Sequence, residues 1–257
     1  MGKVSQRIKR RRPEPTLQDT HSRSQIIPGL ALTRLGVVGT DSGVGKTVVA
    51  SAIIAAMRDA GARVAPMKPV GRSAGGDVEQ MLAASGIAFP VELIQPLTFP
   101  DAAAPLVAAR RARAPIDVGI LDRAFGELCT MSDAVIVEDS GGLLVPITET
   151  ESFATLFRRW GLDLVIVSPN RIGAVNQTLM TVQSAQTHGL RVRAVVLTTL
   201  TRERGGTAER TNQALLKELL LTIPVLGFPY TDSPDDPRQL MALARELSAH
   251  STIARPA

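Results

Sequence analysis

The chain has 257 residues, 29 Lys and Arg against 24 Asp and Glu, and a single cysteine. That length can bury a full core as one large α/β domain without requiring a second. Cys129, alone, excludes an internal disulfide and fits a reducing compartment, so a cytoplasmic protein is expected.

The net charge of +5 would suggest a nucleic-acid or membrane partner, but its distribution removes that suggestion. Residues 1 to 30 hold seven bases (Lys3, Arg7, Lys9, Arg10, Arg11, Arg12, Arg23) and two acids (Glu14, Asp19), and the rest of the chain carries 22 of each sign. Residues 1–30 therefore read as a basic, disordered tail, and 31–257 as the folded domain. The stretch Ile26 to Leu32, broken by Pro28 and Gly29, is too short for the apolar core of a secretory signal. No apolar run reaches the roughly 18 residues of a membrane span. Trp160 and Tyr230 are the only large polar aromatics, too few for a base-stacking surface, so neither a nucleic-acid nor a membrane partner is expected.

After the tail, Leu35 to Val38 reads as a buried strand and Lys46 to Ala60 as a helix. Between them lies Gly39-Thr40-Asp41-Ser42-Gly43-Val44-Gly45-Lys46-Thr47. A loop of this kind points successive N–H groups at a polyphosphate, and the helix that follows adds its positive end. Lys46 is placed to reach the β- and γ-phosphates, and Thr47 to offer a hydroxyl to Mg2+. Five residues separate Gly39 from Gly45, one more than the common phosphate-loop pattern allows.

Further strands are expected at Val64 to Met67, Ala134 to Val137, Leu164 to Val167, Ala194 to Leu197 and Val225 to Phe228. Helices are expected near Asp77 to Ser85, Ile116 to Thr130, Ser152 to Trp160, Ala174 to Thr187, Thr207 to Leu221 and Pro237 to Ser248. Short strands that are apolar throughout belong to a parallel sheet covered on both faces. The alternation implies a doubly wound, mainly parallel α/β fold of the P-loop NTPase kind, in which ligands sit beyond the carboxyl ends of the strands.

Polar residues follow those ends repeatedly: Lys68, Glu138 with Asp139, Ser168 with Asn170, and Thr198 with Thr199. Lys68 leaves its strand directly before Pro69, which holds the exit extended. Glu138 follows a buried strand and precedes Gly141-Gly142, a placement that suits an acidic Mg2+ partner. Asp77, after Gly75-Gly76, would by itself be a helix N-cap. His188 before Gly189 reads as a helix C-terminal residue, Cys129 as a small core residue and Trp160 as a packing residue.

Taken together these motifs resemble the dethiobiotin synthetase family. The resemblance runs from about Leu35 to about Pro229. It rests on the phosphate loop with its extra residue, Lys68-Pro69-Val70, Asp77, and Val137-Glu138 with Gly141-Gly142. Pro96-Leu97-Thr98-Phe99 with Ala104-Pro105, Gly173 with Asn176, and Leu226-Gly227-Phe228-Pro229 add to it. It implies a ligase that joins 7,8-diaminopelargonate and CO2 at the expense of ATP, with Mg2+, giving dethiobiotin, ADP and phosphate. The path runs through a carbamate and a carbamic-phosphoric anhydride.

By the same resemblance Lys68 is catalytic, lying between carbamate and γ-phosphate, and Thr47, Asp77 and Glu138 ligate Mg2+. Nucleotide contacts fall on Gly43, Val44, Gly45, Lys46, Thr47, Val48, Asp77, Glu138, Asp139, Ser140, Gly141, Thr198, Thr199, Phe228, Pro229 and Tyr230. The substrate falls on Ser42, Arg72, Ser73, Gly173 and Asn176, the last two across a homodimer interface.

Three positions depart from the family pattern: Gly43 stands where Glu is frequent, Arg72 where Ser is usual, and Thr198 with Thr199 where an Asn reads adenine. A hydroxyl cannot reproduce the paired donor and acceptor of an amide, so relaxed base selectivity is expected. A partition ATPase of the same fold would keep a signature lysine where this loop has Asp41. A member that only binds nucleotide would not need to retain Lys46, Thr47, Lys68, Asp77 and Glu138 together.

Overall fold

The computed structural model describes residues 33–73, 76–202 and 205–232. The expected tail and the helix expected near Pro237 to Ser248 lie outside the described residues. The described chain runs β1 (Thr33–Gly39), α1 (Lys46–Asp59), β2 (Val64–Met67), β3 (Val70–Arg72), α2 (Asp77–Ser85), α3 (Val91–Ile94), β4 (Leu97–Phe99) and α4 (Pro105–Ala112). It continues with α5 (Val118–Met131), β5 (Ala134–Glu138), α6 (Phe153–Arg159), β6 (Asp163–Pro169), α7 (Ala174–Thr187), β7 (Val192–Thr198), α8 (Thr207–Leu219) and β8 (Val225–Phe228).

Six strands form one sheet in the order β2-β5-β1-β6-β7-β8, with every pairing parallel. All six expected strands are present in it. Alternate residues serve opposite faces: Leu35 and Val37, Ala134 and Ile136, and Val165 and Val167 pack beneath α1, around Val49, Ile53 and Ile54. Val38, Val135 and Val137, and Leu164 and Ile166 pack on the other face with Leu121, Phe125, Phe153 and Phe157. Two covered faces explain why these strands read as apolar throughout.

Local signals set several boundaries. The Asp117 carboxylate accepts from the Gly119 N–H at 2.8 Å and caps α5, so that helix opens at Val118 rather than at Ile116. Ser152 and Thr155 form a reciprocal capping box on α6. Trp160 packs as expected, stacked on Phe125 at 4.4 Å between ring centroids, with its indole N–H donating to Asp122 at 2.7 Å. His188 is the C-cap of α7, and its Nδ1 lies 2.8 Å from the Ser184 carbonyl oxygen. Cys129 is half-buried, and burial pushes its thiol pKa up against the pull of Arg34.

Four elements, β3, β4, α3 and α4, were not apparent from the residue pattern. Strands β3 and β4, three residues each, form a separate parallel pair with Val70 opposite Leu97. Helix α4 occupies part of the alanine-rich stretch. No helix among the described residues is long and apolar enough to cross a membrane.

The order of the main sheet decides where a ligand can sit. Strand β1 lies between β5 and β6, and the chain runs outward from it on both sides, so the crevice opens at the carboxyl end of β1. The loop Gly39 to Thr47 leaves from that point.

Candidate active site

The phosphate loop closes around glycines that adopt conformations other residues resist. Gly43 has φ 68° and Gly45 φ 90°, both left-handed, and Gly45 is the N-cap of α1. No acceptor among the described residues meets the N–H groups of Gly43 through Val48. Those groups are the unfilled first turn of α1 and form an anion cradle.

Lys46 is buried at the loop's base, its Nζ 3.0 Å from the Asp41 carbonyl oxygen and 3.4 Å from Asp139 Oδ1. Asp139 also accepts from the Gly39 N–H at 3.2 Å. Its carboxylate thus tethers both ends of the loop, and burial drives its pKa from the ordinary 3.8 to about 7 against the pull of Lys46.

Next to this loop four elements deliver one polar cluster. Thr47, in the first turn of α1, donates its hydroxyl toward Asp77 Oδ1 at 3.2 Å and Glu138 Oε1 at 3.1 Å. Lys68, directly after β2, contacts Asp77 Oδ2 and lies 2.9 Å from Glu138 Oε1. Gly76 takes the N-cap of α2, so the Asp77 carboxylate is free to turn to Thr47 and Lys68.

Two ammonium groups, Lys46 and Lys68, stand among three carboxylates, Asp77, Glu138 and Asp139. Burial alone would lower the Lys68 pKa, but Glu138 and Asp77 together hold it above its usual range, so the ammonium is kept. Asp77, half exposed, ends below the usual carboxylate range: burial opposes this, and the Lys68 hydrogen bond and charge outweigh it. Glu138 is raised by burial against the pull of Lys68.

Glu138 Oε2 is buried and has no hydrogen-bond partner. An orphaned carboxylate oxygen beside a hydroxyl and a second carboxylate suits a hard, oxygen-seeking cation. Among the described residues no group of three or more His, Cys, Asp or Glu converges on one point. Two carboxylates and a hydroxyl, Asp77, Glu138 and Thr47, are a donor set that Mg2+ accepts when phosphate oxygens and water complete its shell.

The other expected site residues fall in two groups. Ser42 is exposed on the outer loop, and Ser140 donates to the Val70 carbonyl, tying the Glu138 loop to β3. Arg72 and Ser73, both exposed, lie at the end of that same small sheet, and the Ser73 N–H donates to the Phe99 carbonyl at 3.0 Å. Glycines 141 and 142 have φ 107° and 154°. Thr199 and Phe228 are joined by a 2.9 Å backbone hydrogen bond, with Pro229 exposed and the Arg202 guanidinium 6.0 Å from the Tyr230 ring.

Gly173 and Asn176 stand apart from the Lys68 cluster at the exposed start of α7, where the Asn176 amide meets Met180 Sδ at 3.4 Å. Thr198 is buried beneath the loop, its hydroxyl 2.8 Å from the Val44 carbonyl oxygen.

A polar network was overlooked in the residue pattern. Buried Asn212, on α8, donates to Asn170 Oδ1 at 3.0 Å and to the Arg171 carbonyl at 2.9 Å, and Asn170 donates to the Glu209 carbonyl at 2.8 Å. It fastens α8 to the end of β6. A polar residue in the apolar stripe of α8 was the available signal.

Comparison with known proteins narrows what such a site does. The AAA domain family profile matches residues 33–236. The ATP-dependent dethiobiotin synthetase BioD of Anaeromyxobacter dehalogenans (strain 2CP-C) is 37% identical over 219 residues, 84% of this chain and 97% of that protein. The chain belongs to the dethiobiotin synthetase family. A second dethiobiotin synthetase, from Nitrosospira multiformis, is 35% identical over 232 residues, 85% of this chain and 94% of that one. Among solved structures, a ParA family ATPase from Chlorobium tepidum TLS matches with a TM-score of 0.50 at 13% identity, covering 87% of this chain and 97% of that one. That likeness concerns the fold alone.

Proposed function

We propose that the protein is an ATP-dependent dethiobiotin synthetase, converting 7,8-diaminopelargonate, CO2 and ATP to dethiobiotin, ADP and phosphate. The observation that carries this reading is the convergence of Thr47, Lys68, Asp77 and Glu138 beside the phosphate loop in a chain of this family.

The chemistry asks for charge control. One substrate amine captures CO2 as a carbamate, and a carbamate oxygen must then approach the γ-phosphorus of an anionic triphosphate. The N–H groups of Gly43 to Val48 and the Lys46 ammonium hold the phosphates in place. Ser140, Gly141, Thr199, Phe228, Pro229 and Tyr230 border the nucleotide, while buried Asp139 and Thr198 hold the loop from beneath.

Thr47, Asp77 and Glu138 would hold Mg2+, which when bound neutralises charge on the β- and γ-phosphates. Lys68 faces the approach of the two anions, and its raised pKa keeps it a cation there. It offsets the repulsion as the carbamate oxygen–phosphorus bond forms and the bond from phosphorus to the ADP oxygen breaks. The second amine then attacks the carbonyl carbon, phosphate leaves, and the ring closes.

Ser42, Arg72 and Ser73 lie on the side from which the diamine enters. Gly173 and Asn176, exposed at the α7 N-terminus, receive its carboxylate tail from the other protomer of a homodimer. Ile172, just before the α7 N-cap, and Met180, one turn after Asn176 on α7, are both exposed apolar side chains that a second copy would cover.

The test is direct. Purified protein given diaminopelargonate, bicarbonate and MgATP should release phosphate and form dethiobiotin in equal amounts. Absence of both products would leave a nucleotide-binding protein without this reaction.

A further inference from the structure

Thr198 ends β7 and is only 3% exposed, yet its side chain is engaged by a backbone segment 154 residues away. Its hydroxyl lies 2.8 Å from the Val44 carbonyl oxygen. Its methyl carbon would stand 3.3 Å from a Cβ built on Gly45, so it packs against the Val44–Gly45 peptide from below. The Ser168 carbonyl, at the end of β6, lies 3.3 Å from the same hydroxyl and gives this floor a second attachment.

The Val44 carbonyl and the Gly45 N–H belong to one planar trans peptide and point in opposite directions. Drawing the carbonyl inward onto Thr198 turns the N–H outward, to the cradle side of the loop. A peptide flip there would present a carbonyl oxygen to an incoming phosphate. Gly45, lacking Cβ and sitting at φ 90°, puts little steric resistance in the way of such a flip.

We infer that Thr198 is a positioning residue of the phosphate loop: its hydroxyl holds the Val44–Gly45 peptide in the orientation that aims the Gly45 N–H at the nucleotide phosphate. It thereby acts on the nucleotide through the loop and not on the base. The inference rests on the loop's binding of nucleotide phosphate, and is independent of which reaction follows.

The experiment measures MgADP affinity by calorimetry, alongside thermal unfolding, for the unaltered protein, Thr198→Val and Thr198→Ser. Thr198→Val keeps the shape and loses the donor, and should weaken MgADP about tenfold with an unfolding midpoint within about 5 °C of the parent. Thr198→Ser keeps the donor and should bind within about threefold of the parent. Should Thr198→Val fail to fold, Thr198→Ala takes its place with the same loss expected. Affinity for Thr198→Val within about twofold of the parent, or equal losses for Ser and Val, would overturn the inference. A parent protein that binds MgADP but forms no dethiobiotin sinks the proposed reaction and leaves this test intact; one that binds no MgADP overturns both.

Discussion

Lys68 Nζ lies 2.9 Å from Glu138 Oε1, and the cause is strand register. Strands β2 and β5 run parallel with Met67 opposite Val137, so the next residue on each strand, Lys68 and Glu138, leaves the sheet at the same level. Both are largely buried, and each compensates the charge of the other.

Replacing Lys68 by Gln should remove the cation at the point where two anions meet. We expect kcat to fall by about 10²–10³, with MgADP affinity changed by less than about fivefold. Steady-state kinetics with a parallel binding measurement check this, and near-normal turnover would overturn the assignment of Lys68.

Asp139 predicts a pH dependence of stability. Its folded pKa of about 7 exceeds the ordinary 3.8, so between those values the folded state holds more protons than the unfolded chain. The stabilisation is complete below about pH 4 and is lost as pH rises through about 7, amounting to a few kcal/mol in all. Urea unfolding should therefore show a more stable protein at pH 5 than at pH 8. Asp139→Asn should flatten much of that difference; an unchanged slope would show that the carboxylate stays ionised throughout.

Base selectivity should be weak. The Thr198 hydroxyl is spent on the Val44 carbonyl and the Thr199 N–H on the Phe228 carbonyl, so neither supplies the paired groups an adenine edge requires. Turnover with GTP and CTP should fall within about tenfold of that with ATP. A much stronger preference for ATP would mean that other groups read the base.

Exposed Ile172 tests the dimer. Ile172→Glu puts a charge beside the α7 N-terminus, within the proposed interface, and should shift the protein to monomer in light scattering at micromolar concentration. The KM for diaminopelargonate should rise by about tenfold or more while MgADP affinity stays within about twofold. A variant that remains dimeric with unchanged KM would place the interface elsewhere.

Much of the fold was legible because its signals are contiguous. Apolar runs such as Ala134 to Val137 are long enough to declare a buried strand, and the phosphate loop is read along one stretch of chain. Strands β3 and β4 were not legible, since three residues each carry no periodicity and each exists only against the other. The Asn170–Asn212 pair was hidden for a related reason: its partners lie 42 residues apart, and neither is unusual alone.

Glu138 and Asp139 show the boundary most clearly. Both are carboxylates at one strand end, but successive side chains leave a strand in opposite directions, so Glu138 meets Lys68 and Thr47 while Asp139 meets Lys46 and Gly39. The sequence by itself determined the alternation of elements, the phosphate loop and the residue types at the strand ends, because these depend on neighbours along the chain. Which of those residues meet, and which are buried deeply enough to shift their ionisation, was decided only by the tertiary structure. Parallel register and exclusion of water are set by segments far apart in the chain, and Thr198 beneath Val44 exists only once they have packed.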